Sequence, residues 1–288
     1  MIRDKYEEIY PFLKTVQFTK FNQLAKKPFG KIAETYEDEI AKIAEILGKD
    51  QYSIIKYLEN FEESEHYYVI QILLHVKYFS RPQLTKACQD LFATLCVCQN
   101  QNLDGNFGFY IPISEMGMKG SHTILNEFRV ANNLPSNRCL NSPLHLQNIT
   151  LKPKEPIFLL DDFIGSGESI LTWWETNSPN LPMKNPIYIA ALVGLKEGVD
   201  HLTQALPTVK LVDPLEIIPQ NERVLTPDYI FKTEDIPKVR KILYKYGVKN
   251  YELGRNESQA MVTFDYRTPN NTISLLWNSN LKYPLFRR

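Results

Sequence analysis

The most informative stretch of this sequence places two adjacent carboxylates directly before a loop of small residues. Residues 157–160 are all apolar, Asp161 and Asp162 follow, and a Gly- and Ser-containing loop then leads into a helical segment. Glycines let a backbone approach an anion closely, and a helix N-terminus presents free N–H groups and a partial positive charge. The pattern therefore predicts a phosphate-binding loop beside carboxylates that suit sugar hydroxyls, directly or through a divalent metal ion. The residues predicted to hold the phosphate are Ile164, Gly165, Ser166, Gly167, Glu168 and Ser169.

The segments around this loop predict an open parallel sheet. Residues 157–160 and 187–193 are short, fully apolar runs that are typical of buried parallel strands. Helical segments follow each of them, from about residue 170 and over 196–205, and residues 209–218 contain a third strand region. This alternation indicates an α/β fold, in which ligands bind outside the carboxyl ends of the strands.

Residues 1–100 have the pattern of a helical N-terminal region. Ile40, Ile43 and Leu47 recur at helical spacing before Gly48, and residues 84–98 form an amphipathic pattern after Pro82. We therefore divide the chain into a helical region, 1–100, and an α/β domain, 101–288.

The α/β domain begins and ends with smaller elements. Residues 107–113 predict a strand, 114–120 a Gly-containing loop, and Ser121 the cap of a helix that runs to about residue 131. Residues 132–156 are polar and proline-rich and predict an irregular segment. The tail, 219–288, predicts one helix, one strand and a turn-rich loop at 268–272.

Composition places few limits on function. The 288 residues are 43% hydrophobic and 23% charged, with 33 basic and 33 acidic residues, so neither nucleic acid nor a membrane is required as a partner. No apolar run reaches the ~18–20 residues of a membrane helix, and the charged N-terminus does not resemble a secretory signal, so we expect a cytoplasmic protein. Cys96 and Cys98 lack a second ligand pair at zinc-site spacing and are interpreted as reduced structural cysteines.

The stretch 157–169 resembles the 5-phosphoribosyl diphosphate (PRPP) motif of type I phosphoribosyltransferases. Asp161 and Asp162 match the acidic pair of that motif, Ser166 with Gly167 matches its Thr-Gly step, and Ser169 matches its last Thr. Glu168 departs from the pattern and should point outward. The resemblance implies that the acidic pair holds the ribose, that the loop holds the 5′-phosphate, and that Mg²⁺ reaches the aspartates indirectly, bound to PRPP.

Two further segments are candidates for the rest of such a ligand. By the same resemblance, Lys119, Gly120 and Ser121 would contact the diphosphate, although an ordinary strand-to-helix turn with a solvated lysine explains them almost as well. Asn270, Asn271 and Thr272 could contact a base or ribose, because amides both donate and accept hydrogen bonds. The alternative is a turn stabilised by Asn side chains.

A narrower resemblance covers most of residues 60–288. The segments 76–80, 187–202 and 268–277 are similar to the phosphoribosyltransferase-like domain of prokaryotic conflict systems, including effectors that accompany retrons. This resemblance implies a role in antiviral defence and, as partners, nucleic acid or a reverse-transcriptase complex.

The reaction that the resemblance implies is phosphoribosyl transfer, which needs no protein nucleophile. Many such enzymes carry a mobile basic loop, whereas residues 132–156 contain only Arg138, Lys152 and Lys154 as basic residues. Three hypotheses stay open: a transferase acting on a nucleotide or nucleic-acid substrate, which we favour; a non-catalytic PRPP or nucleotide sensor; and a nucleic-acid-associated structural partner in a defence complex. The acceptor and the oligomeric state are not encoded in any recognisable motif.

Overall fold

The N-terminal part of the structure is helical, as predicted. The computed structural model describes residues 29–99, 107–114 and 119–287. Helices α1–α4 span Phe29–Thr35, Glu37–Leu47, Gln51–Leu58 and His66–Leu74. The second of these ends at Gly48 in the left-handed conformation, and the third begins where the Asp50 carboxylate accepts a hydrogen bond from the Ser53 amide at 2.8 Å. The prediction for residues 1–28 lies outside the described residues.

The helical region is interrupted by a strand that the sequence analysis missed. Strand β1, Lys77–Phe79, pairs in parallel with β7, Val262–Phe264, in a two-stranded sheet. Residues 69–79 are mostly apolar, but α4 ends at Leu74. Strand β1 depends on a tertiary contact, because its partner strand comes from the far end of the chain. Helix α5, Arg81–Gln99, then follows as predicted.

One hydrophobic core joins the N-terminal helices to the C-terminal tail. Buried residues of α2, such as Ile43 and Leu47, belong to the same cluster as Leu243 of helix α9, Ile236–Tyr246, and Leu275 near the chain end. The Tyr57 hydroxyl also donates to the Leu275 carbonyl at 2.9 Å. The division at residue 100 remains a prediction, and this core draws on both sides of it.

The second sheet is parallel throughout and confirms the α/β fold class. Its strands are β2, Phe109–Pro112; β3, Ile157–Ile164; β4, Ile187–Leu195; β5, Lys210–Leu211; and β6, Glu216–Ile218. They lie in the order β2-β3-β4-β5, while β6 pairs with the carboxyl-terminal half of β4. The predicted third strand region is therefore two short strands.

Helices cover both faces of this sheet. Helices α5 and α6, Lys119–Ala131, pack on one face, and helices α7, Glu168–Asn177, and α8, Lys196–Ala205, pack on the other. No helix in the described part of the chain is long and apolar enough to cross a bilayer.

Side chains of β3 alternate between these two faces. Phe158 and Leu160 join the core beneath α5 and α6, whereas Ile157 and Leu159 join the core beneath α7 and α8. The strand is longer than predicted and includes the acidic pair, because β4 continues alongside it to Gly194. The strict alternation ends after Leu160, since Phe163 shares the core of Leu160 and Ile164 lies in the core of Leu159.

Candidate functional site

A cavity of about 300 Å³ lies at the carboxyl end of β2 and β3. Its walls come from the loop after β3, the first turns of α6 and α7, and two segments of the C-terminal tail, at Arg255 and at 267–271. Of the residues predicted from the sequence, those that line the cavity are Ser121, Asp161, Gly165, Ser166, Gly167, Ser169, Asn270 and Asn271. Four other predicted residues, which the structure also describes, do not line the cavity: Asp162, Ile164, Glu168 and Thr272.

The loop after β3 is held in place by close backbone approaches. Gly167 adopts a left-handed conformation (φ 86°) immediately before α7, which glycine tolerates best. A Cβ on Gly198 of α8 would lie 1.8 Å from the Gly165 carbonyl oxygen, and a Cβ on Gly165 would lie 2.3 Å from the Asn271 side chain. The loop is thus clamped between α8 and the 268–272 turn, and its glycines make that approach feasible.

The loop hydroxyls face the cavity and meet polar groups of the C-terminal tail. The Arg255 guanidinium Nη1 donates to Ser169 Oγ at 3.0 Å, and Asn256 Nδ2 donates to Ser166 Oγ at 3.1 Å. Among the described residues, no carboxylate lies within 4 Å of Arg255. A cation without a paired carboxylate therefore stands at the N-terminus of α7, where an anion would bind.

Sequence reasoning missed Arg255, and its neighbourhood explains why. It follows Gly254, whose backbone is left-handed (φ 78°) and whose Cβ would lie 2.1 Å from the Asn271 carbonyl oxygen. The only local signal was the Gly254-Arg255-Asn256 turn sequence. Nothing in that sequence indicates a contact with the phosphate-binding loop, because Ser169 and Arg255 are more than eighty residues apart in the chain.

Asp162 belongs to a buried ion pair. It accepts a hydrogen bond from Tyr266 Oη at 2.6 Å and two from Arg267, from Nε at 2.7 Å and from Nη2 at 2.5 Å. Burial by itself would raise the pKa of this carboxyl, but the charge and hydrogen bonds of Arg267 and the Tyr266 hydroxyl hold the pKa below its usual value. Asp162 is therefore ionised, and its oxygens are bonded to Tyr266 and Arg267. Its chemical role is to orient Arg267, which lines the cavity.

Asp161 lines the cavity, and its pKa is shifted in the other direction. Burial and the neighbouring charge of Asp162 raise its pKa well above the usual value. The Ser121 hydroxyl lies 2.5 Å from the Ile113 carbonyl oxygen and 3.1 Å from Asp161 Oδ1. The single hydroxyl hydrogen of Ser121 can be donated to only one of these two oxygens, and Asp161 Oδ1 also accepts a hydrogen bond from the Asp162 amide at 2.9 Å. The Asp161 carboxyl in this position can accept a hydrogen bond from a sugar hydroxyl.

The predicted diphosphate segment is described in part. Helix α6 begins at Lys119, two residues before the predicted cap, and Ser121 is not the cap because its hydroxyl bonds to the end of β2 instead. Residues 115–118 and the side chains of Lys119 and Gly120 lie outside the described atoms, so their predicted contact stays a prediction.

The 268–272 turn forms the wall opposite the loop. Asn270 and Asn271 line the cavity, while the buried Thr272 donates from Oγ1 to the Val262 carbonyl at 2.5 Å and so stabilises the turn. Trp173 also borders the cavity, but its indole is buried and donates to the Ser114 carbonyl at 3.1 Å. Trp173 is therefore a packing residue at the edge of the cavity.

The residues that the structure describes contain no cluster of metal-ligating side chains. No group of three or more His, Cys, Asp or Glu side chains in the described ranges could hold a metal ion. Asp161 contributes the single carboxyl group of the described cavity lining. That a divalent ion reaches this site bound to PRPP stays a prediction.

Three of the solved structures to which this chain is similar are two phosphoribosyltransferases and a third protein. The xanthine-guanine-hypoxanthine phosphoribosyltransferase of Helicobacter pylori is 14% identical and matches over 49% of this chain and 88% of its own (TM-score 0.30). The orotate phosphoribosyltransferase of Aeropyrum pernix is 16% identical and matches over 45% of this chain and 69% of its own (TM-score 0.29). The AQ2163 protein of Aquifex aeolicus is 7% identical and matches over 59% of this chain and 83% of its own (TM-score 0.31).

The family assignment comes from the sequence as a whole. No curated protein matches the chain. The profile of the PRTase-CE family, in contrast, matches residues 54–288, which include every strand and the entire cavity lining described above. This protein belongs to the PRTase-CE family, and its α/β domain is phosphoribosyltransferase-like.

Proposed function

We propose that this protein binds PRPP, or the 5′-phosphate of a nucleotide, in the cavity at the end of β3. The observation that carries the proposal is the convergence of Ser166, Ser169 and the unpaired Arg255 cation on the N-terminus of α7. Four features favour a phosphate there: free helix N–H groups, hydroxyl donors, glycines that allow close approach, and a guanidinium. The cavity volume of about 300 Å³ suits a compact ligand such as a ribose phosphate.

The carboxyl groups then have separate tasks. Asp161 would hydrogen-bond the ribose hydroxyls, because it lines the cavity beside the loop. Asp162 would act through Arg267, by fixing the orientation of a guanidinium at the cavity wall. Mg²⁺ would enter as part of the substrate, bound to the diphosphate, and would neutralise the charge of that leaving group.

We further propose transferase activity on a nucleotide or nucleic-acid acceptor, in a cytoplasmic effector of antiviral defence, as the likeness to retron-associated proteins implies. In such a transfer the bond from ribose C1 to diphosphate breaks, diphosphate leaves with the electron pair, and the acceptor bonds to C1. The residues of this chain bind and orient the ribose phosphate, and none is required as a nucleophile.

One observation favours the alternative of a non-catalytic sensor. Arg138, one of three basic residues between α6 and β3, is half-buried, pairs with Glu155 at 2.6 Å and lies 4.7 Å from the Phe109 ring centroid. A cation held in this way is not available to reach over a departing diphosphate. A sensor would bind PRPP or a nucleotide without turnover.

Calorimetric titration with PRPP and magnesium tests the proposal. Wild-type protein should bind saturably, and Ser166→Ala and Arg255→Gln should weaken binding. Matched controls are Thr176→Ala, an exposed hydroxyl further along α7, and Arg240→Gln, an exposed arginine on α9. Binding that is absent in folded wild-type protein, or equal in all four variants, would contradict the proposal. Release of diphosphate when acceptors are added separates the transferase from the sensor.

A further inference from the structure

A second concave surface lies on the other side of the turn that follows β7. This surface, the basic groove, has a volume of about 660 Å³. Its lining includes the cations Lys49, Lys56, Lys282 and Arg287, the exposed Tyr52 and the partly buried Tyr283. It shares no lining residue with the cavity, but the two are adjacent, because the Thr268 amide of the cavity wall donates to the Arg287 carbonyl at 2.9 Å.

The basic groove concentrates positive charge in a chain whose net charge is zero. Within residues 29–99, 107–114 and 119–287, no carboxylate lies within 4 Å of the amines of Lys49 and Lys282. Lys56 pairs with Glu59 at 3.1 Å. Among the described lining residues Asp265 is the one acid, and its carboxylate accepts a hydrogen bond from Tyr78 at 2.9 Å. Lys49, Lys282 and Arg287, with no carboxylate among the described residues within 4 Å, outnumber the one acid of the lining and complement a polyanion.

The cations alternate with aromatic rings. The Lys56 amine lies 4.9 Å from the Tyr283 ring centroid and 5.6 Å from that of Tyr52, and the Lys282 amine lies 5.0 Å from Tyr283. Tyr52 projects from α3 with 44% of its surface exposed, so one ring face is available to a ligand. A surface that presents ammonium groups and open ring faces side by side can contact phosphates and unpaired bases together.

We propose that the basic groove binds single-stranded nucleic acid. The lysines and Arg287 contact the phosphates, and the tyrosine rings stack with bases, which every base permits regardless of sequence. A duplex would fit less well, because its bases are already stacked on one another. The proposal stands on residues outside the cavity and does not depend on PRPP binding.

Fluorescence anisotropy with a labelled oligothymidylate of about 12 nucleotides tests this directly, since single-strand sites cover about 4–16 nucleotides. Lys49→Gln/Lys282→Gln removes two phosphate contacts and should reduce the slope of log affinity against log salt by about 1.4. Its control is Lys238→Gln/Lys241→Gln on α9, where Lys238 lies 4.6 Å from the Tyr68 ring, a lysine–tyrosine pair outside the groove. The control should bind like wild type.

A second pair of variants tests stacking. Tyr52→Ala should weaken binding about tenfold, whereas Tyr244→Ala, which removes a similarly exposed ring (49%) on α9, should not. Ser166→Ala in the cavity should also leave oligonucleotide binding unchanged, whatever its effect on PRPP. Absence of binding by folded wild-type protein, equal losses in the groove and control variants, or preference for the duplex of the same length would each overturn the proposal.

Discussion

Asp161 and Asp162 are consecutive buried residues of one strand, yet their pKa values are displaced in opposite directions. Asp162 is held ionised by its bonds to Arg267 and Tyr266, and its negative charge, added to burial, raises the pKa of Asp161. Two identical residues of one motif therefore have different surroundings: Asp161 lines the cavity, and Asp162 fixes a neighbouring arginine.

The first prediction concerns the stability of Asp161→Asn. The raised pKa of Asp161 means that the folded chain holds a proton which the unfolded chain releases, so wild type loses stability as the pH rises from about 4 toward the folded pKa. The asparagine side chain of the variant does not titrate, so the variant has no such loss of stability. We expect Asp161→Asn to be more stable than wild type by about 0.5–2 kcal/mol near neutral pH, with the difference growing with pH. Urea unfolding at several pH values measures it, and a difference that shrinks as the pH rises would refute the assignment.

Asp162→Asn should behave in the opposite way. Removing this charge leaves the guanidinium of Arg267, 25% exposed, without its carboxylate, which should cost about 3–5 kcal/mol in the free energy of unfolding. Because the pKa of Asp162 is lowered, its contribution is present at neutral pH and is lost as the pH falls through the folded pKa. Asp90→Asn, which removes an exposed partner of Lys86, is the control and should change stability by less than about 0.5 kcal/mol. Equal effects of the two variants would contradict the buried pair.

Gly198→Ala tests the clamp on the phosphate loop. In most helix interiors this change stabilises by about 0.5–1 kcal/mol, but here the new methyl group would lie 1.8 Å from the Gly165 carbonyl oxygen. We expect lower thermal stability and loss of PRPP binding, because the loop must move away from α8. Gln204→Ala, on the exposed side of the same helix, should affect neither property. A Gly198→Ala protein that is as stable as wild type and binds normally would show that the loop is not held there.

Arg255 provides the prediction that separates charge from shape. Arg255→Gln should weaken the binding of a 5′-phosphate ligand roughly 10- to 100-fold, the range of a charge-assisted hydrogen bond. Arg255→Lys keeps the charge but loses the fork geometry, so its affinity should lie between those of wild type and Arg255→Gln. Calorimetry with AMP and adenosine makes the assignment specific: the substitution should weaken AMP binding and leave adenosine binding unchanged. A similar effect on both ligands would place Arg255 away from the phosphate.

The parts of the site that the sequence predicted are those encoded by local pattern. The apolar run before Asp161 and the glycines of the loop lie within one short segment, so strand, loop and helix could be assigned together. Asn270 and Asn271 were proposed from the resemblance, and the structure brings them to the same cavity.

The parts that the sequence did not predict depend on contacts between distant segments. Strand β1 forms because Lys77–Phe79 finds β7 near the chain end, and Arg255 and Arg267 reach the cavity only after the tail has folded over it. The different roles of Asp161 and Asp162 depend on Tyr266 and Arg267, which come from the tail more than a hundred residues along the chain.

The most direct test of the central claim is a crystal structure of the protein with PRPP and magnesium. We predict that the 5′-phosphate lies at the N-terminus of α7, within hydrogen-bond distance of Ser166, Ser169 and the Arg255 guanidinium, with the ribose beside Asp161. A 5′-phosphate bound elsewhere, for example among the lysines of the basic groove while the loop contacts only solvent, would contradict the account.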